Sequence, residues 1–210
     1  IAGENGENYA VSDIVFDSRK VVNGSCFIAI IGKNNDGHDY VKNAFENGAS
    51  LVISSKIIDD LAQKWQKRVV IVDDTLKALE KLAVFARKNS KAKFIGVTGS
   101  AGKTTVKEML RIALADYEIH ANFASFNNNY GLPLTLANLK TEHQFAIIES
   151  GINHLGELRQ LNEILRPDLA IITTVAPAHI GNFDDFDQIA TAKSEILEKT
   201  SDFAVLNKDN

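Results

Sequence analysis

Short apolar runs alternate along this chain with longer stretches whose apolar residues recur every three or four positions. The runs at residues 11–17, 25–31, 51–54, 69–72, 94–98, 145–149, 169–174 and 203–206 predict strands. Several are β-branched and apolar throughout, the mark of strands buried on both faces. Helical periodicity predicts helices over 40–47, ending at Gly48, over 58–67, and over 76–88 behind the capping run Asp73-Asp74-Thr75. Further helices are predicted over 104–115, after the loop that closes on Gly131 and Pro133, over 157–165 and over 186–199.

Strands alternating with amphipathic helices imply an α/β fold. Residues 1–90 read as a small α/β domain, and residues 91–210 as a second domain built on a doubly wound, mostly parallel sheet. The polar, helix-ending segment 89–93 (Asn-Ser-Lys-Ala-Lys) is the candidate linker. No internal repeat or low-complexity segment interrupts the pattern.

The strand predicted at 94–98 runs into FIGVTGSAGKTTVKEM, residues 94–109. Glycines at 99 and 102 let backbone N–H groups converge on anionic oxygens, and the helix that follows adds its free N–H groups and positive end. Lys103 supplies a mobile cation for β- and γ-phosphates, and the Thr104 hydroxyl can ligate Mg²⁺. Thr98, Gly99, Ser100, Ala101, Gly102, Lys103, Thr104 and Thr105 are therefore the candidate ATP-binding loop. The longer form of this motif places a glycine at position 97, where this chain has valine.

Glu149 stands at the carboxyl end of an apolar strand, the edge where ligands sit in open α/β sheets. It is the natural second protein ligand for nucleotide-bound Mg²⁺, or else a plain cap or surface acid. His179 follows another strand and could ligate metal or orient phosphate, although a lone loop histidine is commonly structural. Lys193 reads by periodicity alone as a solvated helix lysine. Asn127 and Asn128 lie in a polar Asn-rich loop whose amides suit phosphate or sugar, or merely make a turn. Asp17-Ser18-Arg19 follows a strand of the first domain; its guanidinium fork suits diphosphate or carboxylate, and a surface ion pair explains it equally well. His120 and His143 have no partner pattern.

A hydrophobic share of 45% with 24% charged residues is that of an ordinary globular chain. A net charge of −4 argues against broad nucleic-acid or anionic-membrane binding. The single cysteine, Cys26, lies in an apolar run and reads as core. It cannot form an internal disulfide, as suits a reducing compartment. No run approaches the roughly 18 apolar residues of a membrane span, and no basic-then-apolar leader opens the chain. An opening Ile1 and a stop just past a strand read as a piece cut at both ends.

In order, DSRKVVNGSCFIAIIGKNNDGHDYVKNAFENGA, GVTGSAGKTTVKEM, NNNYGLPLTLANL, IIESGINHLGEL, RPDLAIITTV, AHIGNF and ATAKSEIL resemble the Mur ligases, ATP-dependent amide-bond formers of peptidoglycan precursor synthesis. The resemblance covers nearly the whole chain. It is closest to the branch that joins D-Ala-D-Ala to UDP-MurNAc-tripeptide through an acyl phosphate. It implies a catalytic set of Lys103, Glu149, His179 and Lys193. Thr104 and Glu149 would hold one Mg²⁺, and His179 a second. Lys193 falls where the family carries an N-carbamylated lysine that helps hold that second ion. Asn127 and Asn128 match paired asparagines near the nucleotide, and Asp17, Ser18 and Arg19 match the segment that handles the UDP-sugar. The chain departs from the family at Ala124-Ser125, where Gly-Asn is usual, and at Asn129, where an acid is expected. The resemblance further implies small-molecule substrates, no nucleic-acid partner, a monomer, and the bacterial cytoplasm. The family's C-terminal domain is not among these residues, so the 210-residue chain alone is expected to be inactive. The alternatives are a sister ligase adding the third amino acid, a P-loop ATPase without ligase activity, and a binding module with a degenerate site.

Overall fold

The computed structural model describes residues 9–123, 126–177, 183 and 185–208. The chain divides into two compact units, Ile1–Lys81 and Leu82–Asn210.

In the first unit β1 (Ile14–Val15), β2 (Cys26–Ile28), β3 (Leu51–Ser54) and β4 (Val69–Ile71) form one parallel sheet in the order β1-β2-β3-β4. Helices α1 (Val41–Glu46) and α2 (Gln63–Gln66) join the strands. Phe27, Ala29, Val41, Ala44, Phe45 and Val52 form the core, and Trp65 stacks on Phe45 at 5.3 Å. Cys26 is fully buried, and burial pushes its thiol up to about 12, so it packs as core rather than reacting.

Three elements are shorter than the hydrophobic pattern predicts, each for a local reason. Past β1, Asp17 caps a 3₁₀ turn over Ser18–Lys20 by accepting the Arg19 N–H. Past β2, Ile30 gives its carbonyl to the Gly37 N–H and Ile31 bridges Asp36, so these residues pair with a returning loop instead of the sheet. The helix expected over 58–67 is cut to α2 because Asp60 takes a left-handed φ of 56°.

Helix α3 (Thr75–Asn89) opens at Asp74, whose carboxylate accepts the Leu76 and Lys77 N–H groups. The division between units falls within it, ahead of the expected 90/91 boundary. Ala83 is already part of the second unit's core, and Arg87 donates to the Leu165 and Arg166 carbonyls while lying 3.7 Å from the centre of the Phe94 ring.

The second unit carries a five-stranded parallel sheet of β5 (Lys93–Thr98), β6 (Ile119–Ala121), β7 (Phe145–Glu149), β8 (Leu169–Ile172) and β9 (Phe203–Leu206), ordered β6-β7-β5-β8-β9. The helices are α4 (Lys103–Ala113), α5 (Gly131–Ala137), α6 (Glu157–Leu165) and α7 (Phe186–Ser194). Strand parity sorts the core. Ile95, Val97 and Ile147 meet Val106 and Leu110 of α4 and Leu114, which caps it, whereas Phe94, Ala146 and Ile148 meet Leu132 and Leu136 of α5 and Leu161 and Leu165 of α6. The chain leaves the central strand β5 toward one edge and later fills the other side, which opens a crevice at the carboxyl edge.

Buried Glu195 fastens α6 by accepting the Gly156 and Arg159 N–H groups, a carboxylate at the helix's positive end. The continuous helix expected over 186–199 tightens to a 3₁₀ turn over Glu195–Lys199. The hydrophobic pattern missed β6 because it is a three-residue edge strand with histidine at its centre.

His120 donates from Nε2 to the Thr135 carbonyl at 2.7 Å and packs on His143 at 4.7 Å, so both serve structure. Burial holds His120 below its ordinary 6.5, with His143 and Lys140 adding to the effect and the Thr135 bond opposing it. The unfolded chain therefore binds more protons just below 6.5, and stability falls as pH drops through that range. Urea unfolding of the second unit is expected to show rising stability from about pH 5 to about pH 6.5, the range below the ordinary histidine value. In His120→Gln that slope should be shallower; an unchanged slope would place its origin elsewhere.

Candidate nucleotide site

β5 ends at fully buried Thr98, whose hydroxyl donates to the Ser150 carbonyl at 3.0 Å and ties the central strand to the end of β7. Gly99 (φ 145°) and Gly102 (φ 78°) then take conformations that side chains resist. A Cβ at Gly99 would also lie 2.0 Å from the Thr173 hydroxyl. The chain beyond β8 braces this loop. Ser100 donates its N–H to the Thr174 carbonyl at 2.6 Å and its hydroxyl to the Ala176 carbonyl at 2.9 Å, and Thr173 donates to the Ala101 carbonyl at 2.5 Å. Lys103 opens α4 and folds its ammonium back onto the Gly99 carbonyl at 2.9 Å. Thr105 is exposed on the same turn. Together with Ala101, Gly102 and Val106 it lines an open groove of about 450 Å³ that runs to Ile171–Thr174 at the end of β8 and to Val205–Asn207 at the end of β9.

Beside the loop lies Glu149, the last residue of β7 and only 1% exposed. The Thr104 hydroxyl donates to its Oε2 at 2.8 Å and the Asn127 amide to its Oε1 at 2.8 Å. Lys107, also 1% exposed, brings its Nζ to 3.9 Å from Oε2. Asn122 treats the Glu149 peptide as a neighbouring strand would: its Oδ1 accepts the Glu149 N–H at 2.9 Å, and its Nδ2 donates to the Glu149 carbonyl at 2.8 Å. The Lys107 ammonium donates to the Asn122 carbonyl at 3.0 Å, which closes the ring of contacts.

The structure thus brings together Thr98 to Thr104, Asn127 and Glu149. Asn128 lies in the same loop but spends its Oδ1 on the Tyr130 and Gly131 N–H groups that start α5. Lys193, solvated on periodicity alone, is instead only 3% exposed; burial first and the charge of Lys103 second lower its ammonium to about 8. His179 lies outside the described residues. The hydrophobic pattern missed Asn122 and Lys107. The available signal for Lys107 was its place four residues after Lys103, on the same face of α4.

In the first unit Asp17 and Arg19 pair through two hydrogen bonds, of 2.9 and 2.8 Å, with the arginine side chain 86% exposed. Arg19, first through these bonds, holds the Asp17 carboxyl below its ordinary range. Ser18 is buried. The surface ion pair is therefore present at the carboxyl end of β1. A second knot fastens the turn at Gly37–Tyr40 to the end of β3. Asp36 pairs with His38 Nδ1 and, at 2.6 Å, with Lys56, while Ser55 meets His38 Nε2 at 3.1 Å. Lys56 and then the His38 N–H hold the Asp36 carboxyl well below the carboxylate range.

A parallel sheet with a glycine-rich loop between its central strand and the next helix, and an acid at the adjacent strand end, defines a P-loop nucleotide-binding domain. Residues 97–210 match the Mur ligase middle domain and residues 10–87 match the Mur ligase family catalytic domain, two stretches that flank the expected linker. The chain belongs to the Mur ligase family. It is 41% identical to the UDP-N-acetylmuramoyl-tripeptide–D-alanyl-D-alanine ligase of Rickettsia prowazekii over 95% of this chain and 44% of that one. The enzyme of the same name from Escherichia coli is 34% identical over 98% of this chain and 45% of its own. The crystal structure of MurF from Acinetobacter baumannii superposes with a TM-score of 0.83 at 35% identity, covering 94% of this chain and 44% of that one. MurF ligase from Thermotoga maritima in complex with ADP gives 0.83 at 30% identity, with 97% and 47% covered. The chain spans about half the length of the curated relatives it matches. Among the described residues no helix is long and apolar enough to cross a membrane.

Replacing Asn122 by alanine leaves the Glu149 N–H and carbonyl without these partners in a buried place. The expected cost is about 2–3 kcal/mol, on the scale of stranded buried polar groups, read by chemical denaturation. Full stability in Asn122→Ala would contradict the clamp.

Proposed function

We propose that this chain carries the UDP-substrate and ATP-binding parts of an ATP-dependent ligase that adds D-Ala-D-Ala to UDP-MurNAc-tripeptide, acting in the bacterial cytoplasm as a monomer. The observation that carries the reading is the Glu149 carboxylate 2.8 Å from the Thr104 hydroxyl, directly beside the phosphate loop. Two hard oxygen donors side by side suit Mg²⁺ rather than a thiolate-seeking metal. Thr104 and Glu149 would hold the ion, which when bound neutralises charge on the nucleotide's phosphates.

The remaining work is done by the chain's own groups. The loop amides and the N-terminal turn of α4 cradle the phosphates. Lys103 exchanges its contact with the Gly99 carbonyl for the transferring phosphate and offsets the charge that develops there. The tripeptide's terminal carboxylate takes the γ-phosphoryl group from ATP, giving an acyl phosphate and ADP. The amine of D-Ala-D-Ala then attacks the acyl carbon, and the tetrahedral intermediate expels phosphate. Alignment supplies most of the acceleration, since no covalent enzyme intermediate is needed. Asp17, Ser18 and Arg19 hold the UDP end, and Asn127 steadies Glu149 toward the nucleotide.

Lys193 belongs to the same reading. An ammonium so buried near Lys103 is unfavourable, and addition of CO₂ to the amine, with loss of a proton, replaces that repulsion by attraction. The carbamate would face a second Mg²⁺, with His179 as its partner ligand. The chain spans less than half of its relatives' length, and we propose that the 210-residue chain alone does not ligate.

The test is phosphate release from ATP by the intact protein, with each substrate omitted in turn. Release should require both UDP-MurNAc-tripeptide and D-Ala-D-Ala, and Lys103→Ala should lower it by about 10²–10³, the cost of losing one charge-stabilising donor. Release indifferent to both substrates would leave a P-loop ATPase and overturn the substrate assignment.

A further inference from the structure

Lys107 is a fully buried lysine to which the proposed reaction gives no task. Its side chain is 1% exposed, on the second turn of α4, 3.9 Å from Glu149 Oε2 and 3.3 Å from Glu108 Oε1. Burying an ammonium is costly unless opposite charge accompanies it, and the carboxylate it faces is itself 2% exposed. Neither group can move away easily. Lys107 donates to the Asn122 carbonyl at 3.0 Å, and the Asn122 side chain clamps the peptide of Glu149 on both sides. The cation is thus built into the floor of the site, while Lys103 lies on its loop side.

We propose that Lys107 is the resident counter-ion of Glu149, and that it makes this site accept Mg²⁺ with nucleotide in preference to free Mg²⁺. The inference rests on the reading that Thr104 and Glu149 hold the ion. The oxygen that accepts from Thr104, Oε2, is the one nearest Lys107. An Mg²⁺ held by that oxygen would share it with the ammonium and meet like-charge repulsion. A triphosphate arriving with the ion brings more negative charge than the ion brings positive, and the repulsion is outweighed. Without nucleotide, Lys107 already does the neutralising. A lysine that served only to fill space or to hold Asn122 would have no bearing on which form of the metal enters.

The experiment is thermal unfolding without nucleotide across a magnesium titration, on the intact protein, Lys107→Met and the double variant Lys107→Met/Glu149→Gln. Wild type should respond weakly to Mg²⁺ alone. Lys107→Met should melt lower in metal-free buffer and recover with Mg²⁺, its half-effect at an at least tenfold lower concentration than in wild type. The double variant should regain stability without metal and show no Mg²⁺ response. If Lys107→Met is unfolded without metal, folding on addition of Mg²⁺ supports the proposal equally. A Lys107→Met that Mg²⁺ does not rescue, or a double variant no better than the single one, overturns it and leaves Lys107 a packing residue. Wild type with Mg²⁺ and ATP runs in parallel. Absence of stabilisation there would remove the metal-site reading itself, whereas a wild type that responds to MgATP beside an unresponsive Lys107→Met removes only the role of Lys107.

Discussion

A single buried carboxylate organises the second unit of this protein. Glu149 ends β7 at the sheet's carboxyl edge, where both its backbone and its side chain would be expensive to leave unpaired. The surrounding chain answers each need from a different element. Asn122, just past β6, pairs its peptide; Thr104 and Lys107 from α4 and Asn127 from the loop before α5 reach its oxygens. Those contacts fix α4 against β7, and α4 in turn carries the phosphate loop's helix end. The hydrophobic parity of the strands cooperates, because Ile147 and Glu149 fall on the α4 side and Ile148 on the other.

The phosphate loop shows the complementary constraint. Its glycines give the backbone freedom to turn inward, and that freedom must be cancelled elsewhere if the amides are to hold one geometry. Ser100, Thr173 and Thr174 cancel it by bonding the loop to the strand end of β8. Close approach of Thr173 at Gly99 makes that glycine a packing requirement as well as a conformational one. Preorganisation of this sort is what lets a loop of neutral amides bind a polyanion without first paying to be ordered.

Much of this was legible in the amino-acid sequence because it rests on local chemistry. Continuous apolar runs announced the α/β class of both units and the parallel sheet of the second, and the glycine–lysine–threonine spacing announced the loop. Glu149 was legible from its place at a strand end. What the pattern could not show was tertiary. β6 has too few apolar residues to register, Asp60 holds back the start of a helix through its own backbone, and residues 30–31 leave the sheet to pair with a loop. Lys193 looks solvated because periodicity records hydrophobicity, not what other parts of the chain lay over a lysine, and Lys107 takes its buried carboxylate partner from a strand distant in the chain. Asn122 was invisible for the same reason: its amide imitates a strand's backbone, and no spacing rule announces that.

The central claim is that Glu149 is the protein's half of a metal–nucleotide site, and ATP binding by calorimetry with and without Mg²⁺ tests it most directly, comparing wild type with Glu149→Gln. The account predicts that Mg²⁺ tightens ATP binding to wild type and has little effect on the variant, whose metal-free ATP binding is undiminished. Equal tightening by Mg²⁺ in both proteins would contradict it, and would place the metal on the nucleotide alone.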